Sequence, residues 1–176
     1  MSQKAWKAAE KSNLPKFYLN LKSYRKSLLS NSNPYPPAVN LVFALDEALK
    51  MMREEGLDNI FLRHNKHKLA MSNSAKALNL KLFADEKHLS PSITAINTEE
   101  IDAEEFRKTI KNNFDILLAG GQDHLKGKIF RVGHLGYVND RDIITVVSAI
   151  SNTRLDLGKI TSQQAGEALV VASKYL

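Results

Sequence analysis

The chain has 176 residues, 43% of them hydrophobic and 25% charged, a mixture that suits a globular protein with its own apolar core and excludes collagen-like, fibrous and wholly disordered chains. It contains no cysteine, which removes disulfide scaffolds, iron–sulfur clusters, zinc–thiolate centres and cysteine nucleophiles. The net charge of +6 gathers at one end: residues 1–35 carry Lys4, Lys7, Lys11, Lys16, Lys22, Arg25 and Lys26 against the single acid Glu10, and the remainder is balanced.

The Ala- and Lys-rich segment 2–11 predicts a short helix, and Asn13-Leu14-Pro15 breaks it before a second amphipathic stretch from Phe17 to Leu28. In 30–37 three prolines fix φ and push the residues before them to extended geometry, so an exposed, rigid connector is expected. Residues 38–55 then read as a helix whose first half, AVNLVFAL, is apolar nearly all round, which implies a partner surface. Gly56 ends it, and Leu57, Ile60, Phe61, His64, Met71, Ala75 and Leu78 mark the apolar stripe of a long second helix.

Two β-prone runs follow, LKLFA at 80–84 and SITAIN at 92–97, parted by a polar turn. Asp102 with Glu105 predicts a helix start over 103–113, FDILLAG at 114–120 reads as a strand, and GKIFRVGHLG at 127–136 as another. Asn139 with Asp142 and Thr161 with Gln164 open two last helices. Strands this close together leave no room for crossover helices, so the expected architecture is α+β: a mostly antiparallel sheet with helices on one face, preceded by an N-terminal helical arm. The lysine-rich start lacks an apolar leader and no run of about 18 apolar residues occurs, so a cytoplasmic protein without a membrane partner is expected.

Few residues offer chemistry. Gly120 to Lys128 places three glycines and two lysines between strands, which suits either an anionic ligand or a turn with solvated lysines. Arg131 lies mid-strand between Phe130 and Val132, so its guanidinium points away from its apolar neighbours. It could grip a carboxylate or phosphate with two prongs, or form a structural ion pair. His64 and His67 are spaced for a metal but have no convincing further ligands, and histidines inside an apolar stripe are more often packed and hydrogen-bonded. No metal site is expected. Asp123, His124 and His134 could move protons, yet no serine sits in a nucleophile elbow. The basic arm interleaves Trp6, Phe17, Tyr18 and Tyr24 with its lysines, but no groove-reading motif accompanies them, so nucleic-acid binding is not expected.

The run GGQDHLKGKIFRVGHLGYVNDRDI resembles the C-terminal signature of the class V pyridoxal-phosphate aminotransferases of the alanine–glyoxylate or serine–pyruvate type. PKFYLNLKSYRKSL, NPYPPAVNLVFALDEALKMMREEGL and LKLFADEKHLSPSITAI carry the resemblance across residues 2–150. Some members of that branch bear the label soluble hydrogenase subunit, which a cysteine-free chain does not justify as metal chemistry. The resemblance implies the small C-terminal domain of a fold type I enzyme, with 1–35 as the basic tail of the larger domain and 36–176 as the small domain.

In that family the arginine of the GKxxRxGxLG strand holds the substrate's α-carboxylate, and the matching position is Arg131. The family's TPYTPAV-like segment reaches the cofactor phosphate of the neighbouring subunit; here Pro36 replaces its threonine, leaving Asn33 and Tyr35 as the polar candidates. Helix 38–52 is expected to be a dimer or domain contact, with a homodimer the favoured reading. Ser2-Gln3-Lys4 imitates the Schiff-base motif, but SQKAWKAAEKSNLPKFYLNL fits better to a helix downstream of the catalytic lysine. On that alignment the chain supplies no Schiff-base lysine, holds no pyridoxal phosphate by itself, and transfers amino groups between small amino acids and 2-oxo acids only with the missing half. The alternative is a non-catalytic dimerisation or interaction module derived from the same family.

Overall fold

Capping chemistry sets most helix boundaries in the computed structural model, which describes residues 1–176. The chain divides into two units, Met1–Met51 and Met52–Leu176. In the first, Ser2 caps α1 (Gln3–Lys11) by accepting from the Ala5 amide, and Asn20 caps α2 (Leu21–Leu28) through Lys22. The Arg25 guanidinium lies 4.9 Å from the Trp6 ring centroid, a cation–π contact. Tyr35 packs on Phe17, Tyr18 and Tyr24 with ring centroids 5.6, 4.9 and 6.3 Å away. Helix α3 (Val39–Glu55) starts directly after the prolines, and the unit boundary falls inside it.

The second unit holds α4 (Leu57–Ala77), β1 (Lys81–Leu82), β2 (Ile93–Asn97), α5 (Ala103–Phe114), β3 (Ala119–Gly120), β4 (Ile129–Gly133), α6 (Asp140–Asp156) and α7 (Ser162–Ser173). Gly56, at φ +83°, turns the chain between α3 and α4 in a conformation that favours glycine. Asp102 accepts from the amides of Glu104 and Glu105, while Asn139–Asp142 and Thr161–Gln164 form complete reciprocal capping boxes. The strands pair antiparallel throughout in the order β1-β2-β4-β3. Ile96, Phe130 and Val132 are buried, with α4 against β1 and β2 and α5 against β3 and β4. Phe106 and Phe130 meet at the centre of this core, ring centroids 5.1 Å apart. The α+β reading, with its antiparallel sheet and helical arm, is therefore what the chain adopts.

Two expected strands are much shorter than their apolar runs. LKLFA forms a strand only at Lys81 and Leu82, with one further bond from the Phe83 amide to β2, before Asp85 caps a 3-10 turn at Glu86–His88 that takes the chain off the sheet edge. FDILLAG pairs only at Ala119 and Gly120: α5 runs on to Phe114, and Asp115, at φ 55°, closes it in the left-handed region. The apolar first half of α3 is not buried by this chain; Leu41 and Phe43 are 71% and 68% exposed. No helix is long and apolar enough to cross a membrane.

Candidate carboxylate-binding site

Alternation along β4 separates two functions. Phe130 and Val132 enter the core, and Arg131 between them projects from the opposite face. Its cross-strand neighbours are Ala95 on β2 and Ala119 on β3, side chains too short to cover a guanidinium. Phe83, whose amide donates to the Ala95 carbonyl at 2.9 Å, continues this row and is exposed. Arg131 Nε donates to the Gly120 carbonyl at 2.9 Å. That bond fixes the plane of the group and leaves its Nη pair for a planar, two-oxygen acceptor.

The segment that carries the Gly120 carbonyl is braced by α5 two residues earlier. Arg107 Nε donates to the Leu118 carbonyl at 2.7 Å, and its Nη1 pairs with Glu104 at 2.7 Å. A Cβ on Gly120 would come within 2.6 Å of Arg107 Nη1 and of Glu104 Oε1, so a larger residue here would push the ends of these two side chains aside. On the far side of β4, the turn after Gly133 is gripped from α4. Arg63 Nη1 donates to the carbonyls of Gly136 and Val138 at 2.9 and 2.8 Å, while its Nε and Nη2 bind the Glu55 carboxylate at 2.6 and 2.9 Å. The paired guanidinium holds the Glu55 carboxyl below the usual carboxylate range, and Glu55 in turn raises Arg63. The carbonyls that Arg63 and Arg107 grip lie seventy-odd and eleven residues along the chain, and no local spacing reveals them.

Three histidines are held in the protein's own hydrogen bonds. His64 Nδ1 donates to the Ile60 carbonyl at 2.7 Å and its Nε2 accepts from the Gly136 amide at 3.2 Å. His67, fully buried, bonds through Nε2 to Asp140 at 2.9 Å, which holds that carboxyl below its ordinary value with help from Lys66. His134 lies 3.0 Å from the Pro91 carbonyl and 2.9 Å from the Thr94 hydroxyl, and burial pushes its pKa down to about 4.

The glycine- and lysine-rich loop is a folded turn and not an open cradle. The amides of Gly121, Leu125, Lys126 and Lys128 donate to carbonyls within the protein, and Lys126 and Lys128 are exposed. Asn33, Tyr35 and Lys4 belong to the first unit, whereas Arg131 belongs to the second. Asn33 is exposed, Tyr35 donates its hydroxyl to the Phe17 carbonyl at 3.2 Å, and Lys4 stands exposed on α1.

No family model matches the chain. It is 49% identical over 176 residues to the protein named "Soluble hydrogenase, small subunit" of Synechococcus sp. strain PCC 6716, covering all of this chain and 46% of that protein. It is 32% identical over 184 residues to the serine–glyoxylate aminotransferase of Methylorubrum extorquens, again across all of this chain and 45% of the relative. The crystal structure of ureidoglycine–glyoxylate aminotransferase from Bacillus subtilis superimposes with a TM-score of 0.85 at 27% identity, over 95% of this chain and 44% of that one. The chain thus spans about half the length of the relatives it matches. With relatives aligned along its whole length and a fold type I aminotransferase structure matched by its helices and antiparallel sheet, the chain belongs to the class V aminotransferase family.

Proposed function

We propose that this chain is the substrate-gripping, small-domain half of an aminotransferase that moves amino groups between small amino acids and 2-oxo acids such as glyoxylate and pyruvate. The observation that carries the reading is Arg131, set on a rigid strand between two alanines with its Nε already satisfied by Gly120. Such a guanidinium meets the α-carboxylate shared by amino and oxo acids without first reorganising, and so fixes the orientation of the reacting carbon. Glu104 and Arg107 keep Gly120 in place and act through it as positioning residues.

Family members take their carbon chemistry from pyridoxal phosphate, which needs a lysine in a desolvated pocket and partners for its ring and phosphate. The residues present do not form that cradle. Lys4 is exposed on a helix and the Tyr35 hydroxyl is engaged with the chain's own backbone. We therefore assign the chain no Schiff-base lysine and no activity alone. Residues 1–35 are read as the tail of the larger domain and 36–176 as the small domain, with Asn33 and Tyr35 offered to a neighbouring subunit's phosphate. The exposed apolar residues of α3 favour pairing of two copies through 38–52, and they equally fit an interaction module that has lost catalysis.

A chimera separates these readings. The stretch of the Methylorubrum serine–glyoxylate aminotransferase that matches this chain is replaced by it, and transamination of serine with glyoxylate is measured. The active-half reading predicts turnover, with Arg131→Ala lowering kcat/KM by roughly 100-fold or more, mainly through KM, and Arg131→Lys recovering only part of it. A folded, cofactor-loaded chimera without turnover, or one indifferent to Arg131→Ala, contradicts it.

A further inference from the structure

We propose that the cavity lined by Arg154, on the core side of the sheet, binds one small monovalent anion, a halide or a carboxylate of formate size. The apolar stripe of α6 runs through Ile143, Val147 and Ile150 and then places Arg154 where a further apolar residue would fall. Arg154 is only 6% exposed, and its Nε is buried with no acceptor in the protein. A buried guanidinium normally has a carboxylate or several carbonyls around it, because an uncompensated charge in the interior is costly.

Arg154 lines a cavity of about 60 Å³ together with Asn79, Thr98 and Phe106. The two carboxylates that line it each have a lysine partner, Glu99 with Lys81 at 3.0 Å and Glu100 with Lys159 at 3.5 Å, and neither hydrogen-bonds Arg154. Taken together, the three cations and two acids leave one positive charge, which selects a monovalent anion over a sulfate or phosphate dianion. One water occupies about 10–15 Å³ of such space, so the cavity admits a few non-hydrogen atoms and no amino acid. Burial also lowers the proton affinity of Arg154 against the opposing pull of Glu100, which agrees with a cation lacking its counterion. Phe130 lines this cavity while its neighbour Arg131 projects from the other face of the sheet. The two arginines therefore serve separate anions, and the proposal stands whether or not the aminotransferase reading does.

The test uses the whole chain at constant ionic strength. Replacing sodium gluconate by sodium chloride or sodium formate is expected to raise Tm by several degrees in a saturable manner, as expected for a ligand of the folded state. Arg154→Met, which keeps the length and removes the charge, is expected to fold and to lose that response. A bromide-soaked crystal of the unsubstituted chain supplies the second readout, independent of the variant's folding, with an anomalous peak expected beside the Arg154 guanidinium. A response confined to formate identifies a carboxylate site, and one shared with chloride and bromide a general halide site. Water alone in the cavity at saturating bromide and formate, a Tm response that survives in Arg154→Met, or a bromide peak with no Tm response to any anion each overturns the proposal.

Discussion

The two units spend their apolar residues in opposite ways. Not one residue between Met1 and Met51 is buried, although the segment carries Trp6, Phe17, Tyr18, Leu41, Val42 and Phe43. The second unit places Ile96, Phe106, Ile110, Phe130, Ile143 and Ala168 at 2% exposure or less. Hydrophobic stabilisation follows the area taken out of water, so cooperative folding belongs to residues 52–176. The first unit rests on caps, one aromatic cluster and helix propensity. A segment can thus have well-formed helices and still add little to the stability of the chain that carries it.

Phe130→Ala should break the second unit most severely. It removes a fully buried ring packed against Phe106 and is expected to cost about 3–5 kcal/mol in a denaturant titration. Next comes acid. Below pH 6.5 the unfolded chain takes up a proton at His134 that the folded chain refuses until about pH 4, because burial and the nearby His64 and His67 oppose it. Stability is therefore lost as the pH falls through that window, by up to about 3 kcal/mol, and that loss is complete below it. His134→Asn should flatten this part of the profile. Glu55 and Asp140, whose folded pKa values are depressed, stabilise above the ordinary carboxylate range and should add a separate loss only below about pH 4.

Smaller effects sharpen the contrast. Asn139→Ala opens the capping box of α6 and should cost about 1 kcal/mol of global stability. Ser2→Ala removes the equivalent cap from α1 and should leave the global transition where it is, lowering only the local helical signal. Phe43→Ala, at a residue 68% exposed, is expected to stay within about 0.5 kcal/mol of the unsubstituted chain when both are measured as monomers.

The same contrast explains what could be read from the chain. Helix starts were legible because Asp102, Asn139 and Thr161 act on amides two or three residues away. Strand lengths were not: LKLFA and FDILLAG have β-prone composition, but the first leaves the sheet before the turn that Asp85 caps, and the second starts to pair only at Ala119, after Asp115 has closed α5, a decision made by local backbone geometry and not by apolar content. The position of Arg131 followed from strict alternation beside Phe130 and Val132. Its aim did not, since Gly120, Arg107 and Glu104 meet it only through the pairing of β3 with β4 and the packing of α5. The buried Arg154 left a trace after all, as a charge in register with the apolar positions of α6. Arg63 left none, because its backbone partners lie in a turn more than seventy residues along the chain.

We propose that this chain binds the substrate's carboxylate while the covalent chemistry resides elsewhere. This is tested most directly by mixing the purified chain with pyridoxal phosphate, recording absorbance from about 300 to 500 nm, reducing with borohydride and locating adducts by mass spectrometry; borohydride makes any lysine aldimine permanent. The account predicts no saturable aldimine band and only scattered, substoichiometric modification of exposed lysines. A stoichiometric adduct confined to Lys4 would contradict it and make the first unit, not the second, the seat of the chemistry.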